Sequence, residues 1–213
     1  MKILELFSGT QSVSNVFRSH GWEAYTVDNN PVFKDITSYL GDMRDITPEF
    51  ILENFGQPDV IWASPPCTTY SIAAISHHRI REDNGNLLPK SEFAKISDEL
   101  VDHTRFLIER LRPKMWFIEN PVGGMRKIDS MQMLPRYTIT YCQYGDNRRK
   151  PTDIWTNCPD PQFKPICKNG DPCHVSAPRG SKTGTQGLKN AIERARIPED
   201  FCEHIYTLCK GLK

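Results

Sequence analysis

The sequence predicts an α/β fold: a doubly wound, mostly parallel sheet with an antiparallel edge hairpin and a small loop-rich insert. Three observations predict it. Strand-like and helix-like segments alternate through the first 143 residues, the arrangement that connects parallel strands. Two later strand candidates, 137–144 and 153–156, have no long helix between them and so pair as a hairpin at one sheet edge. Hydrophobic periodicity then disappears over residues 157–190, which carry Pro159, Pro161, Pro165, Pro172 and Pro178, so this stretch has no core of its own.

The elements follow in order. Strand candidates are 2–7, 23–28, 59–63 and 115–119, each short and flanked by turn residues. A helix over 12–20 ends at Gly21, a C-cap signal. Thr47 caps a second helix whose first position is Pro48, where the missing N–H does no harm. Residues 97–111 place Leu100, Thr104, Leu107, Ile108 and Leu111 on one stripe, and Pro113 stops that helix. The chain closes with Pro198 and an amphipathic helix bearing Phe201, Ile205 and Leu208. Residues 68–96 are polar and too long for an ordinary strand-to-helix connection; they read as a functional lid or as a disordered surface excursion.

Composition narrows the classes. With 213 residues, 38% hydrophobic and 25% charged, the chain is globular rather than disordered. No apolar run approaches the roughly 18 residues of a membrane span. The apolar N-terminal stretch is broken by Glu5 and reads as a strand rather than a signal peptide. A cytoplasmic location and seven reduced cysteines are therefore expected. The net charge of +1 argues against a wholly basic nucleic-acid coat. Its distribution argues otherwise: residues 1–143 hold 15 cations and 18 anions, whereas residues 144–196 hold 10 cations and 5 anions. The positive share sits on the hairpin and the insert, where a nucleic-acid backbone would lie.

Several strand ends carry chemistry. Phe7-Ser8-Gly9-Thr10 is a turn between strand and helix, as in nucleotide-binding folds, but without the full glycine fingerprint. Asp28 ends the second strand, where an acid serves either a ribose or a turn. Asp42 occupies a similar place. Cys67 follows Pro65-Pro66, whose fixed backbone suits an aimed nucleophile; a buried structural cysteine is the equal alternative. Glu119 ends an apolar run, and buried carboxylates are costly unless paired or functional; a turn at Asn120-Pro121 is the other reading. Arg148-Arg149-Lys150 is a solvated turn or a nucleic-acid contact.

Taken together, these pieces resemble the DNA cytosine-5 methyltransferase family, in that family's order: Leu6-Phe7-Ser8-Gly9, Asp28, Gly41-Asp42, Pro65-Pro66-Cys67 with Ser71, Glu119-Asn120, and Tyr144-Gly145 with Arg148-Arg149. The resemblance covers residues 1–156, resumes at 196–208, and looks closest to the compact enzymes that phages encode. It implies a Rossmann-like S-adenosylmethionine-dependent methyltransferase sheet over 1–156, a short target-recognition insert over 157–194, and a C-terminal helix over 195–213 packing back on the catalytic domain. It implies a methyl group transferred from S-adenosyl-L-methionine to C5 of a flipped cytosine in double-stranded DNA, in the cytoplasm (the host's, for a phage enzyme), with no membrane involved. Cys67 would attack C6, Glu119 would hold N3 and the exocyclic amine, and Arg148 or Arg149 would meet O2. Phe7 would pack on adenine, Asp28 would bond the ribose, Asp42 would contact the adenine edge, and the Gly9 turn would approach the methionine part. Ser8, Thr10, Asn29, Met43 and Pro65 would complete that cofactor surface, while Ser71, Asn120 and Lys150 would contact the nucleic acid. Methylation of transfer RNA and a non-catalytic nucleic-acid-binding relative are the alternatives.

The insert also holds Cys158, Cys167, Cys173 and His174. Four soft ligands in a coreless segment could share one zinc, or could be scattered reduced thiols, since the spacing fits no standard finger.

Overall fold

The computed structural model describes residues 1–176, 188 and 190–212. The main sheet is built from β1 (Lys2–Leu6), β2 (Glu23–Asp28), β3 (Tyr39–Leu40), β4 (Val60–Ala63), β7 (Met115–Pro121), β8 (Arg136–Thr140) and β9 (Pro151–Thr156). A separate hairpin is made by β5 (Arg79–Arg81) and β6 (Leu87–Pro89). The helices are α1 (Ser12–Ser19), α2 (Pro48–Asn54), α3 (Ile75–His78), α4 (Glu92–Leu111), α5 (Asp129–Gln132), α6 (Ala191–Ala195) and α7 (Glu199–Cys209). The seven strands lie in the order β3-β2-β1-β4-β7-β9-β8. Six run in one direction, and β9, between β7 and β8, runs antiparallel to both. The expected doubly wound sheet with an edge hairpin is what forms.

Central strands buried on both faces must be apolar throughout, and β4 reads Val-Ile-Trp-Ala with every residue buried. Alternation then divides the core. Ile3, Val60, Trp62 and Phe117 pack with Val16 and Phe17 of α1 and with Phe201 and Ile205 of α7. Leu4, Leu6, Ile61 and Ile118 pack with Ile51 of α2 and with Val101 and Leu107 of α4 on the other side. The terminal helix thus covers α1, with Tyr206 edge-on to Phe17 at 5.6 Å between ring centres. Among the described residues no helix is long and apolar enough to cross a membrane.

Local details differ from the sequence reading. The α4 helix starts at Glu92, five residues earlier, because Ser91 caps it through Ala94 N at 3.1 Å. Phe93 and Ile96 in its first turns are partly exposed, so no apolar stripe marks that start. The first hairpin strand ends at Thr140, and Tyr141–Tyr144 forms a 3-10 turn closed by Gly145 at φ +83°. Residues 68–96 are ordered as a 3-10 turn, α3 and the β5–β6 hairpin, rather than a disordered excursion. Their anchor is Arg79, which is buried, stacks on Tyr70 and pairs with Asp98 at 2.7 Å; Tyr70 donates to the same carboxylate at 2.7 Å. Residues 157–176 contain neither helix nor strand, as expected of the insert; residues 177–187, Pro178 among them, lie outside the described residues.

Candidate active site

In a parallel sheet all strand carboxyl ends share one edge, and there the loops build the site. Leu6 pairs with Val27 and Ala63, and Ala63 with Ile118. The next residues along each strand, Phe7, Asp28, Ser64 and Glu119, therefore emerge level with one another. β9 is antiparallel to β7, with Pro121 opposite Thr152, so the amino end of β9 arrives at the same edge and delivers Lys150.

One cavity of about 320 Å³ collects these groups apart from Asp28, within the size range of small-molecule sites. Its wall includes Phe7, Ser8, Gly9, Thr10, Pro65, Cys67, Glu119 and Lys150. A larger, more open cavity of about 810 Å³ lies between α1 and the hairpin turn, but it contains neither Cys67 nor Glu119.

Cys67 is exposed to this crevice, which disfavours the reading as a buried structural cysteine. Protein surrounds the thiol on most sides, and that desolvation raises its pKa; the Glu119 carboxylate adds to the rise, and the Lys150 ammonium opposes it. Asn120 fixes the loop below by donating from Nδ2 to the Pro65 carbonyl at 2.8 Å. Glu119 is buried, and its Oε1 accepts from the Tyr141 hydroxyl at 3.0 Å. The Lys150 ammonium sits 4.5 Å above the Tyr141 ring and donates to the Arg194 carbonyl at 2.9 Å. Burial lowers the Lys150 pKa first, and Glu119 partly restores it. The arrangement is an accessible thiol beside a buried carboxyl held by a tyrosine, with one buried cation facing both.

The cofactor side is formed by the turn after β1. Phe7 and Gln11 adopt left-handed backbone at φ +57°, uncommon outside glycine, and Gly9 lies at φ +46°. Asp28 holds this turn by accepting from Gly9 N at 2.7 Å and Asn30 N at 2.8 Å, so the turn-forming role read from sequence is present. Ser8 Oγ is buried beside the cavity with no hydrogen-bond partner among the described residues, as suits a polar ligand lying against this turn. Asp42 caps the turn Met43–Asp45 and pairs with the Arg44 guanidinium, which holds its carboxyl down at about 2. Asp28, exposed Asn29, Asp42 and buried Met43 frame the neighbouring strand ends without lining the cavity.

Four more expected positions differ. Arg148 points away from the crevice: its guanidinium is buried against Asp146 and the carbonyls of Glu193 and Arg194. Arg149 grips the Cys167 carbonyl at 3.0 and 3.2 Å. The cavity cation contributed by this run is Lys150, because successive residues face different ways and the β9 register selects the last. Asn120 is buried on the Pro65 carbonyl, and Ser71 ends the turn Thr68–Tyr70 rather than lining the cavity. Of the soft-ligand set, Cys167, Cys173 and His174 converge with Cys142, while Cys158 lies apart in the core with Phe201 and Cys209.

Sequence reasoning treats Glu5 only as a break in an apolar strand. It is a fully buried cavity residue, its Oε2 accepts from Ser14 N at 2.8 Å, and burial pushes its pKa up to about 7. The signal was present: a lone acid inside a buried strand is costly without a role.

The family described as C-5 cytosine-specific DNA methylase matches residues 1–145. A protein of Frog virus 3 (isolate Goorha), named "Probable DNA (cytosine-5)-methyltransferase", is 30% identical over 233 residues, spanning 98% of this chain and all of the viral one. Among solved structures, a protein named as a DNA modification methyltransferase encoded within an E. coli prophage matches with a TM-score of 0.52 at 17% identity. That match covers 73% of this chain and 46% of the solved one, and is a likeness of fold.

Proposed function

The chain belongs to the C-5 cytosine-specific DNA methylase family, and from that membership we propose that Cys67 performs covalent catalysis on a cytosine flipped out of duplex DNA. The enzyme methylates cytosine at C5 in DNA, with S-adenosyl-L-methionine as methyl donor. One observation carries the covalent reading: Cys67, Glu119 and Lys150 arrive from three separate strand ends and face a single cavity.

Cytosine C5 is a weak nucleophile. The Cys67 thiolate adds to C6, and the C5=C6 electrons move so that C5 becomes nucleophilic. Negative charge grows on the ring during that attack, and Glu119, acting in its acid form, offsets it by donating its proton toward N3 while accepting from the exocyclic amine; the proton returns to Glu119 when the thiolate is eliminated. Tyr141 occupies Oε1 of Glu119 and leaves Oε2 for the base. Lys150 supplies positive charge at the same wall, favouring the thiolate. Once C5 carries the methyl group, the C5 proton passes to solvent, its bonding electrons re-form C5=C6, and the Sγ–C6 bond breaks with its pair on sulfur, returning the thiolate.

When bound, S-adenosyl-L-methionine supplies an electrophilic methyl group on its sulfonium. Phe7, Ser8, Gly9, Thr10 and Pro65 would hold it beside Cys67, and the unpartnered Ser8 hydroxyl supports that placement. The α3 and β5–β6 segment after Cys67 would contact the DNA, anchored through Arg79 and Asp98. The match with a Frog virus 3 protein over 98% of this chain supports a virus-encoded enzyme.

The test is labelling with a tritiated donor, with duplex DNA and transfer RNA side by side. Counts in DNA, with the label at C5 of cytosine after digestion, are expected. Counts in transfer RNA alone would overturn the DNA assignment.

A further inference from the structure

We propose that Cys142, Cys167, Cys173 and His174 bind one zinc ion, which ties the insert to the turn Tyr141–Tyr144. The inference is independent of the methyl-transfer reading. The four ligand atoms lie within 4.8 Å of one another. Cys142 Sγ is 3.0 Å from Cys167 Sγ and 3.6 Å from Cys173 Sγ, and His174 Nδ1 is 3.7 Å from Cys167 Sγ and 3.6 Å from Cys173 Sγ. Zinc–sulfur bonds of about 2.3 Å and zinc–nitrogen bonds of about 2.0 Å require tetrahedral edges of about 3.5 to 3.8 Å. Of the six edges, these four give three that match and one, Cys142–Cys167, that is compressed; the other two are no longer than 4.8 Å. Three thiols with an imidazole form a set that selects zinc over hard cations.

Chain geometry explains how a sequence with no finger spacing makes the site. Residues Lys168 to Asp171 form a tight turn: Lys168 N donates to Asp171 Oδ2 at 2.7 Å, and Gly170 takes φ +93°. That turn folds Cys173 back on Cys167. The third thiol, Cys142, comes from the 3-10 turn after β8, twenty-five residues before Cys167. Cys167 is fixed at both ends of its peptide unit, its N–H on Thr140 Oγ1 at 3.1 Å and its carbonyl on the Arg149 guanidinium. Three thiolates and one imidazole leave a Zn²⁺ site with a net charge of −1, and Arg149 is the adjacent cation. Three thiol protons pass to solvent on binding.

The consequence is mechanical. Residues 157–176 have neither helix nor strand to hold them, and a coreless segment of this length is where a metal staple contributes most. Cys142 adjoins Tyr141, the Glu119 partner, so the ion would order the insert and the catalytic turn together.

The whole chain, expressed with added zinc and desalted in reducing buffer, is assayed by plasma mass spectrometry. About one zinc per chain is expected, retained in Cys158→Ser and lowered roughly fivefold or more in Cys167→Ser and Cys173→Ser. Less than roughly 0.2 equivalents in the wild type would overturn the proposal, as would equal losses in Cys158→Ser and Cys167→Ser. If the cysteine variants do not fold, chelator-stripped wild type titrated with Co²⁺ decides. Thiolate-to-cobalt absorption saturating at one equivalent and displaced by Zn²⁺ supports the site; its absence, or a Cys142–Cys167 disulfide in freshly purified protein, refutes it.

Discussion

The Tyr141 hydroxyl donates to Oε1 of the buried Glu119 carboxyl at 3.0 Å, fixing one oxygen of a side chain that lines the crevice. Tyr141 is in this sense a positioning residue. Its ring packs among Phe201 and its neighbours, so Tyr141→Phe keeps the fold. Hydrogen bonds to charged groups contribute about 1.5 to 3 kcal/mol, so kcat is expected to fall roughly 10- to 100-fold with KM for DNA little changed. Steady-state methylation kinetics check this. A loss of less than about threefold, or one confined to KM, contradicts the positioning role.

The Cys67 thiol titrates above its ordinary value, raised by desolvation and by Glu119 and lowered by Lys150. Alkylation by iodoacetamide should therefore rise with pH through the alkaline range in the free enzyme. Glu119→Gln removes the nearby anion and should speed alkylation at pH 8, while abolishing methylation. Lys150→Met should slow both. Arg149→Ala, whose guanidinium holds Cys167, should leave the alkylation rate unchanged. A Lys150→Met enzyme that alkylates as fast as wild type would show that the ammonium does not act on the thiol.

Glu5 titrates at about 7 instead of the ordinary 4.5 because burial disfavours its charge. Its folded pKa lies above its unfolded one. The protonated folded state is therefore favoured at low pH, and stability is lost as pH rises from about 4.5 through 7. A shift of this size corresponds to about 3 kcal/mol. Glu5→Gln keeps an acceptor for Ser14 N without the charge. The variant should match wild type near pH 5 and exceed it at pH 8, measured by denaturant unfolding. A constant difference between the two across that range would contradict the buried titration.

Much of this site was legible in the sequence because its residues sit at strand ends, and strand ends are local features. Phe7, Cys67 and Glu119 each follow an apolar run, and the parallel sheet places such positions on one edge without further information. Which member of Arg148-Arg149-Lys150 faces the cavity was not legible, since it depends on the β7–β9 register and the turned backbone at Lys150, φ +29°. The pairing of Cys142 with Cys167 is not legible for a similar reason: the contact joins two segments through a fold the spacing does not encode. The β5–β6 hairpin leaves no mark in the sequence because each strand has three residues, too few for a periodic signal.

Covalent attack by Cys67 is tested by incubating the enzyme with duplex DNA containing 5-fluorocytosine and S-adenosyl-L-methionine, then resolving the products under denaturing conditions. Fluorine at C5 cannot leave as a proton does, so the intermediate should persist as a protein–DNA adduct, with the modified peptide containing Cys67. Cys67→Ala should give no adduct and no methylation. Full methylation by Cys67→Ala, or a wild-type enzyme that methylates ordinary DNA yet forms no adduct, would contradict the covalent mechanism.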